Sequence, residues 1–193
     1  MLRAFKIIYP LVVIGVGVGF LLSFTYQSLE KRLIEAKNRE EMIALKQLFP
    51  DASDFKKLEI EGEEYYEAVG ENTGYIFKRA NTGYGGPVEA LIAITNGFVA
   101  NIVVTSMAKE TPGLGSKVAY RNWLKQFLGK GVNEIPSTKT EFKEKGIDAV
   151  SGATFSSLAI CRDIIDAFKT YKKLGFIVNE SDIDGETKAT KEE

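Results

Sequence analysis

Histidine is absent from the chain. Its absence removes the usual general base at neutral pH and the commonest metal ligand, so catalytic triads and histidine-containing zinc sites are excluded. Cysteine is nearly absent too. Cys161 stands alone, so no internal disulfide can form, and cysteine usage points to neither an oxidising nor a reducing compartment. It falls on the apolar side of an expected helix, where a lone cysteine serves as a small core residue. A surplus of charge of either sign is also missing. With 25 basic residues against 26 acidic ones there is no basic field for nucleic acid and no acidic field for cationic partners. There is no internal repeat and no dinucleotide-binding glycine fingerprint. What is present is apolar: 45% of the 193 residues are hydrophobic, enough for one sizeable core beyond a separate N-terminal segment.

Residues 7–24 form an almost uninterrupted apolar run with Gly15, Gly17 and Gly19 inside it. The run is about the ~18 to 20 residues needed to cross a bilayer, and a transmembrane helix is expected within residues 1–28. A buried soluble helix and a cleaved signal peptide fit less well; for the latter, Thr25, Tyr26 and Gln27 offer no small-x-small cleavage site and the run exceeds the usual apolar core of ~7 to 15 residues. Tyr9 and Tyr26 suit the two interfaces, and Pro10 is placed in the first turn or so of the helix. Arg3 and Lys6 precede the run, whereas Lys31, Arg32, Lys37 and Arg39 follow it. A plain count of basic residues therefore puts the C-terminal part in the cytoplasm.

Leu29, Leu33, Ala36 and Ile43 recur at helical spacing among charged residues, which predicts a connecting helix over 29–50 with a mostly solvated face. From Glu64 the pattern becomes strand-like. Strands at 65–69 and 75–79 flank a loop of turn formers, and strands at 88–95 and 98–106 flank Asn96-Gly97, the strongest short hairpin signal. An antiparallel sheet with one covered face is expected, with a Gly83-Tyr84-Gly85-Gly86-Pro87 loop between the hairpins. Two helices would cover it. One runs from a Ser116 cap through Leu128 to a Gly129 stop, and the other from about Phe155 to Leu174, closed by Gly175. The domain so defined covers residues 51–178. Residues 179–193 are short, polar and charged, which predicts a disordered tail.

Two segments invite chemistry. Asp148-Ala149-Val150-Ser151-Gly152-Ala153-Thr154 leads into the last helix, and a small-residue turn there would let an anion approach unpaired N–H groups at the positive end of the helix dipole. Thr154 would present its hydroxyl at that mouth. The same residues also suit an ordinary helix start with Ser151 or Thr154 as N-cap. Glu110-Thr111-Pro112-Gly113-Leu114-Gly115 makes a tight loop whose backbone could lie against a flat ligand, or simply connect a strand to a helix. Glu110, Thr111 and Lys117 are candidates to contact a ligand, as are Gly152 and Ala153 through their backbones. No nucleophilic machinery accompanies Thr154 in sequence.

The Asp-x-x-Ser-Gly-Ala-Thr run resembles the flavinylation motif of FMN-binding domains in the G subunit of the Rnf electron-transport complex and the C subunit of the sodium-pumping NADH:quinone oxidoreductase. The Glu-Thr-Pro-Gly-Leu-Gly run and the glycine-rich run at 83–87 are similar to segments of the same domain, in the same order, over residues 84–174. Where that family usually has a histidine shortly before the Glu-Thr-Pro-Gly-Leu-Gly run, Ala108 and Lys109 stand here. The resemblance implies an α+β fold in which an N-terminal transmembrane helix precedes an FMN-binding domain with an antiparallel sheet packed by helices. It implies FMN held covalently through its phosphate on Thr154, with Ser151, Gly152, Ala153, Glu110, Thr111, Leu114 and Gly115 about the cofactor. No catalytic residue and no metal ligand is expected. A separate flavin transferase, using FAD and magnesium and releasing AMP, would recognise Asp148. The resemblance further implies an electron carrier, with no turnover of its own, in an ion-translocating ferredoxin:NAD oxidoreductase, in contact with membrane lipid and with other membrane and peripheral subunits. It places the domain outside the cytoplasmic membrane, against the basic-residue count; large domains translocate with little regard to flanking charge. The rival readings are the C subunit of the quinone reductase and a non-redox membrane module that binds an anion or scaffolds partners.

Overall fold

The computed structural model describes residues 2–70, 73–107 and 109–175, without the side chains of residues 2–8, 11, 27, 28 and 31. The tail expected at 179–193 lies outside the described residues, as does Ala108. The chain divides into two compact units, Met1–Ile43 and a second that begins at Ala44. The described residues of the first are helical, and α1 spans Leu2–Leu48. Pro10 lies inside α1 and not in its first turn, because the helix begins eight residues earlier; a proline removes one i→i−4 bond, and the helix continues on both sides. Ile14, Val16, Phe20, Leu21, Leu22 and Phe24 are each more than half exposed. Among the described residues no helix is long and apolar enough to cross a membrane. The side chains of Ile7, Ile8 and Leu11, part of the expected span, fall outside them.

The second unit is built on a five-stranded antiparallel sheet in simple sequence order. Its strands are β1 (Ala52–Ile60), β2 (Glu63–Gly70), β3 (Gly74–Thr82), β4 (Pro87–Thr95) and β5 (Phe98–Ser106). The α+β architecture and antiparallel pairing agree with expectation. Asn96 and Gly97 have φ of 54° and 80°, the paired positive values that turn β4 tightly into β5. β1 is the strand that sequence reasoning missed. Its residues are charged and largely exposed, so no alternation marks it; the Glu61-Gly62 turn, at φ of 51° and 83°, was its one legible signal.

The sheet has two covered faces where one was expected. On one side Phe77, Ala90, Ile92 and Ile94 pack with Ala159, Ile160, Ile164 and Phe168 of the last helix. On the other, Ile76, Leu91 and Ala93 pack with Ala44, Leu45, Leu48 and Phe49, the end of α1 and the residue after it. Alternate residues of β4 thus face two apolar layers, which explains why Ala90 to Ile94 are buried without a break.

The stretch expected as one helix from Ser116 to Leu128 is broken. A 3-10 turn (Gly115–Ala119), α2 (Arg121–Leu124) and a second 3-10 turn (Lys125–Phe127) follow one another, interrupted by extended Tyr120 at φ −71°, ψ 127°. Ser116 does not cap it, since its Oγ accepts from Gly113 N–H at 2.9 Å. Gly129 does adopt the left-handed conformation of a helix stop, at φ 75°. After a short α3 (Glu141–Glu144), α4 runs over Thr154–Lys173 and ends near Gly175, at φ 86°. Cys161 is buried in α4, and burial pushes its thiol up to about 12, so it is an inert core residue.

Candidate functional site

α4 begins at Thr154 with Ala153 as N-cap, and no side chain caps it. Neither Ser151 nor Thr154 acts as the cap. Ser157 N–H, which bonds Ala153 O at 2.9 Å, is the first donor used within the helix, so the N–H groups of Thr154, Phe155 and Ser156 have no intrahelical acceptor. They form the positive end of a 20-residue helix. Gly152, at φ 76°, turns the chain into this start, and a Cβ there would meet the Leu114 side chain at 3.3 Å. The positive φ favours glycine here, and a side chain would also press on Leu114.

The loop after β5 is folded against this helix start by one buried carboxylate. Glu110 is 6% exposed. Its Oε1 accepts from the N–H groups of Tyr84 (2.8 Å) and Gly85 (3.2 Å), and its Oε2 accepts from Ser156 Oγ at 2.9 Å. Glu110 therefore ties the glycine-rich loop to the first turn of α4. The glycines around it follow from that: a Cβ on Gly83 or Gly115 would collide with a Glu110 carboxylate oxygen, and one on Gly85 with the Lys109 carbonyl.

A cleft of about 310 Å³ lies where these three segments meet. It is lined by Tyr84, by Glu110, Thr111, Leu114 and Gly115, and by Gly152, Ala153, Thr154, Phe155 and Ser156. Its size is at the lower end for a small-molecule site. Thr154 is half-buried, whereas Phe155 and Tyr84 are 63% and 75% exposed, so the rim is aromatic and the floor is backbone and hydroxyl. Of the residues expected about a cofactor, the fold gathers Glu110, Thr111, Leu114, Gly115, Gly152, Ala153 and Thr154 on this cleft. Ser151 lies exposed on the turn and does not line it, and neither does Lys117. Asp148 is exposed, its backbone held by Trp123 and Gln126. Tyr84, Phe155 and Ser156 were not singled out from sequence. Tyr84 and Ser156 reach Glu110 only through the tertiary fold, across 26 and 46 residues.

A second buried carboxyl, Asp163, lies on α4. Asn81, near the end of β3, donates from Nδ2 to Asp163 Oδ1 at 2.9 Å and to Asp166 Oδ2 at 3.0 Å. Asp163 is fully buried, and among the described residues its Oδ2 has no hydrogen-bond partner. Burial raises the Asp163 carboxyl to about 7, against the opposing hydrogen bonds from Asn81.

Residues 83–169, from the glycine-rich loop to the later turns of α4, match the FMN-binding domain family. That span contains the whole lining of the cleft. Over 170 residues the chain is 30% identical to the G subunit of the ion-translocating oxidoreductase complex of Methanosarcina acetivorans, covering 80% of this chain and 87% of that one. The chain belongs to the G-subunit family of ion-translocating oxidoreductase complexes. The corresponding G subunit of Stutzerimonas stutzeri is also 30% identical, over 171 residues that cover 80% of this chain and 74% of the relative. The G subunit of the proton-translocating ferredoxin:NAD(+) oxidoreductase complex of Clostridium ljungdahlii is 32% identical over 122 residues, 62% of this chain and 65% of its own length. As in an FMN-binding domain, the cleft suits an FMN phosphate. The open N–H groups at the start of α4 and the Thr154 hydroxyl are donors of the kind a phosphate takes, and Leu114 and Phe155 offer apolar surface beside them.

Proposed function

We propose that this protein is the electron-carrying subunit of a membrane ion-translocating ferredoxin:NAD oxidoreductase, with FMN attached through its phosphate to Thr154. The observation that carries the reading is the position of Thr154, the first residue of α4, half-buried in the cleft at a helix start that no side chain caps. A phosphodiester there would find the N–H groups of the first turn nearby, and these favour a negative charge. When bound, FMN supplies one- and two-electron transfer. The chain's own residues would hold and orient it: Glu110 fixes the loop and helix that form the cleft walls, Gly152 would admit a close approach, and Leu114 and Phe155 offer apolar surface beside it. With no histidine or reactive thiol to move protons for an organic substrate, the domain relays electrons between protein partners.

Membrane attachment belongs to the same reading. The exposed apolar side chains of α1 between Tyr9 and Tyr26 support a single-pass anchor over residues 7–24, ~27 Å at 1.5 Å per residue. The domain that begins at residue 51 lies on the extracytoplasmic side of the cytoplasmic membrane. A flavin transferase, with Asp148 as part of what it recognises, loads the cofactor there. Intact mass after co-expression with such a transferase tests the attachment: the wild-type chain gains one FMN phosphoryl group, and Thr154→Val gains none while remaining folded. Covalent flavin persisting in Thr154→Val overturns the assignment.

A further inference from the structure

We infer that Gln126 and Trp123 are positioning residues for flavin loading, holding the acceptor segment 148–154 in the shape a transferase must grip. The inference rests on the proposed attachment at Thr154. Gln126 engages both backbone groups of Asp148: Asp148 N–H donates to Oε1 at 2.8 Å, and Nε2 donates to the Asp148 carbonyl at 3.1 Å. Trp123 Nε1 donates to the same carbonyl at 2.6 Å. The two side chains are three residues apart on one helical stretch, so they point the same way. The Trp123 ring meets the fully buried Phe127 edge-on, with centroids 5.1 Å apart, which roots the clamp in the core. Further along, Val150 N–H donates to Ser157 Oγ at 3.0 Å and Ala153 N–H to the Val150 carbonyl at 2.9 Å. The backbone of the segment is thus pinned at its start and middle, while Asp148 and Ser151 are exposed.

Water could satisfy the exposed Asp148 backbone groups without help, so bonding them three times adds little to stability. What it adds is a single conformation. An acceptor already ordered does not pay its ordering entropy when it docks, and its hydroxyl arrives aligned. In the step served, Thr154 Oγ1 forms a bond to the FMN phosphorus of FAD, the bridging P–O bond to AMP breaks, AMP departs and the hydroxyl proton passes to solvent. Nothing is oxidised or reduced.

The test measures the initial rate of flavin transfer from FAD, with magnesium and a flavin transferase, against the concentration of full-length acceptor. Gln126→Leu removes both amide bonds, and Trp123→Phe removes the indole N–H while keeping a ring against Phe127. For each, the acceptor KM should rise on the order of tenfold, with kcat within about twofold, and long incubation should still reach one flavin per chain. Thermal midpoints should match the wild type; if Gln126→Leu melts early, Trp123→Phe decides. An unchanged KM in the folded variants overturns the inference, and so does a loss of final stoichiometry that only tracks unfolding. A wild-type chain that accepts no flavin overturns the Thr154 reading itself, a result distinct from equal loading of wild type and variants.

Discussion

Ser156, in the first turn of α4, donates its hydroxyl to the buried Glu110 carboxylate at 2.9 Å across 46 residues of sequence. The same carboxylate accepts from two backbone N–H groups of the glycine-rich loop. Two segments remote from Glu110 in the chain therefore share its carboxylate as acceptor, and the cleft lies where the three meet. Glu110→Ala would leave three donors without a partner, at a cost of about 2 to 4 kcal/mol. Gly115→Ala drives a Cβ against the same carboxylate and should cost about 1 to 3 kcal/mol. Urea denaturation of both variants checks this; a Glu110→Ala protein within about 0.5 kcal/mol of wild type, the scatter of surface substitutions, would remove Glu110 from that role.

Asp163 makes stability fall as pH rises. Its carboxyl is ordinary, near 3.8, in the unfolded chain and about 7 in the folded one, so the folded state holds the proton more tightly. The stabilisation is complete below about pH 4 and is lost progressively as pH climbs through 7, at about 1.4 kcal/mol for each tenfold difference in proton affinity. Asp163→Asn keeps an acceptor for Asn81 and removes the charge. Its melting temperature should exceed that of wild type at about pH 8 and match it at about pH 4. Parallel profiles across that range would show that Asp163 charges without penalty.

A reporter that is active only after export, fused behind residue 178, should be active if the domain lies outside the cytoplasm. Lys31, Arg32, Lys37 and Arg39 argue for the opposite orientation. An inactive fusion at normal expression would mean that local charge decides.

The flavin-loaded domain should accept electrons from dithionite and oxidise NADH negligibly on its own. It carries no dinucleotide-binding glycine fingerprint with which to dock a nicotinamide. Rapid, saturable NADH oxidation by the purified protein would mark it as a dehydrogenase in its own right.

Asn96-Gly97, Gly129 and Gly175 were legible because each marks a backbone conformation that one or two residue types tolerate; all adopt positive φ, though Gly129 follows a 3-10 turn and not the single helix expected before it. α4, after the Ser151-Gly152-Ala153-Thr154 turn, was legible from its apolar period. β1 was not, because its side chains face water on an edge strand and leave no alternation to read. The second covered face was hidden for another reason: Leu45 and Leu48 read as part of a solvated connecting helix until the sheet is there to receive them. At the site, the small residues before a helical pattern marked the Thr154 turn as a possible anion mouth, and the resemblance to FMN-binding domains added Glu110, Thr111, Leu114 and Gly115. They said nothing of Ser156, Trp123 or Gln126, whose roles arise from bonds to residues 22 to 46 positions away.

Trp123 is the chain's one tryptophan, and its indole nitrogen rests on the Asp148 carbonyl at the head of the acceptor segment. The protein thereby carries its own optical gauge. Indole emission overlaps the absorption of oxidised flavin, so energy transfer to a cofactor on Thr154 would dim and shorten it. Ultraviolet-excited fluorescence can then follow loading in real time on the unlabelled protein, with no second tryptophan to confuse the signal.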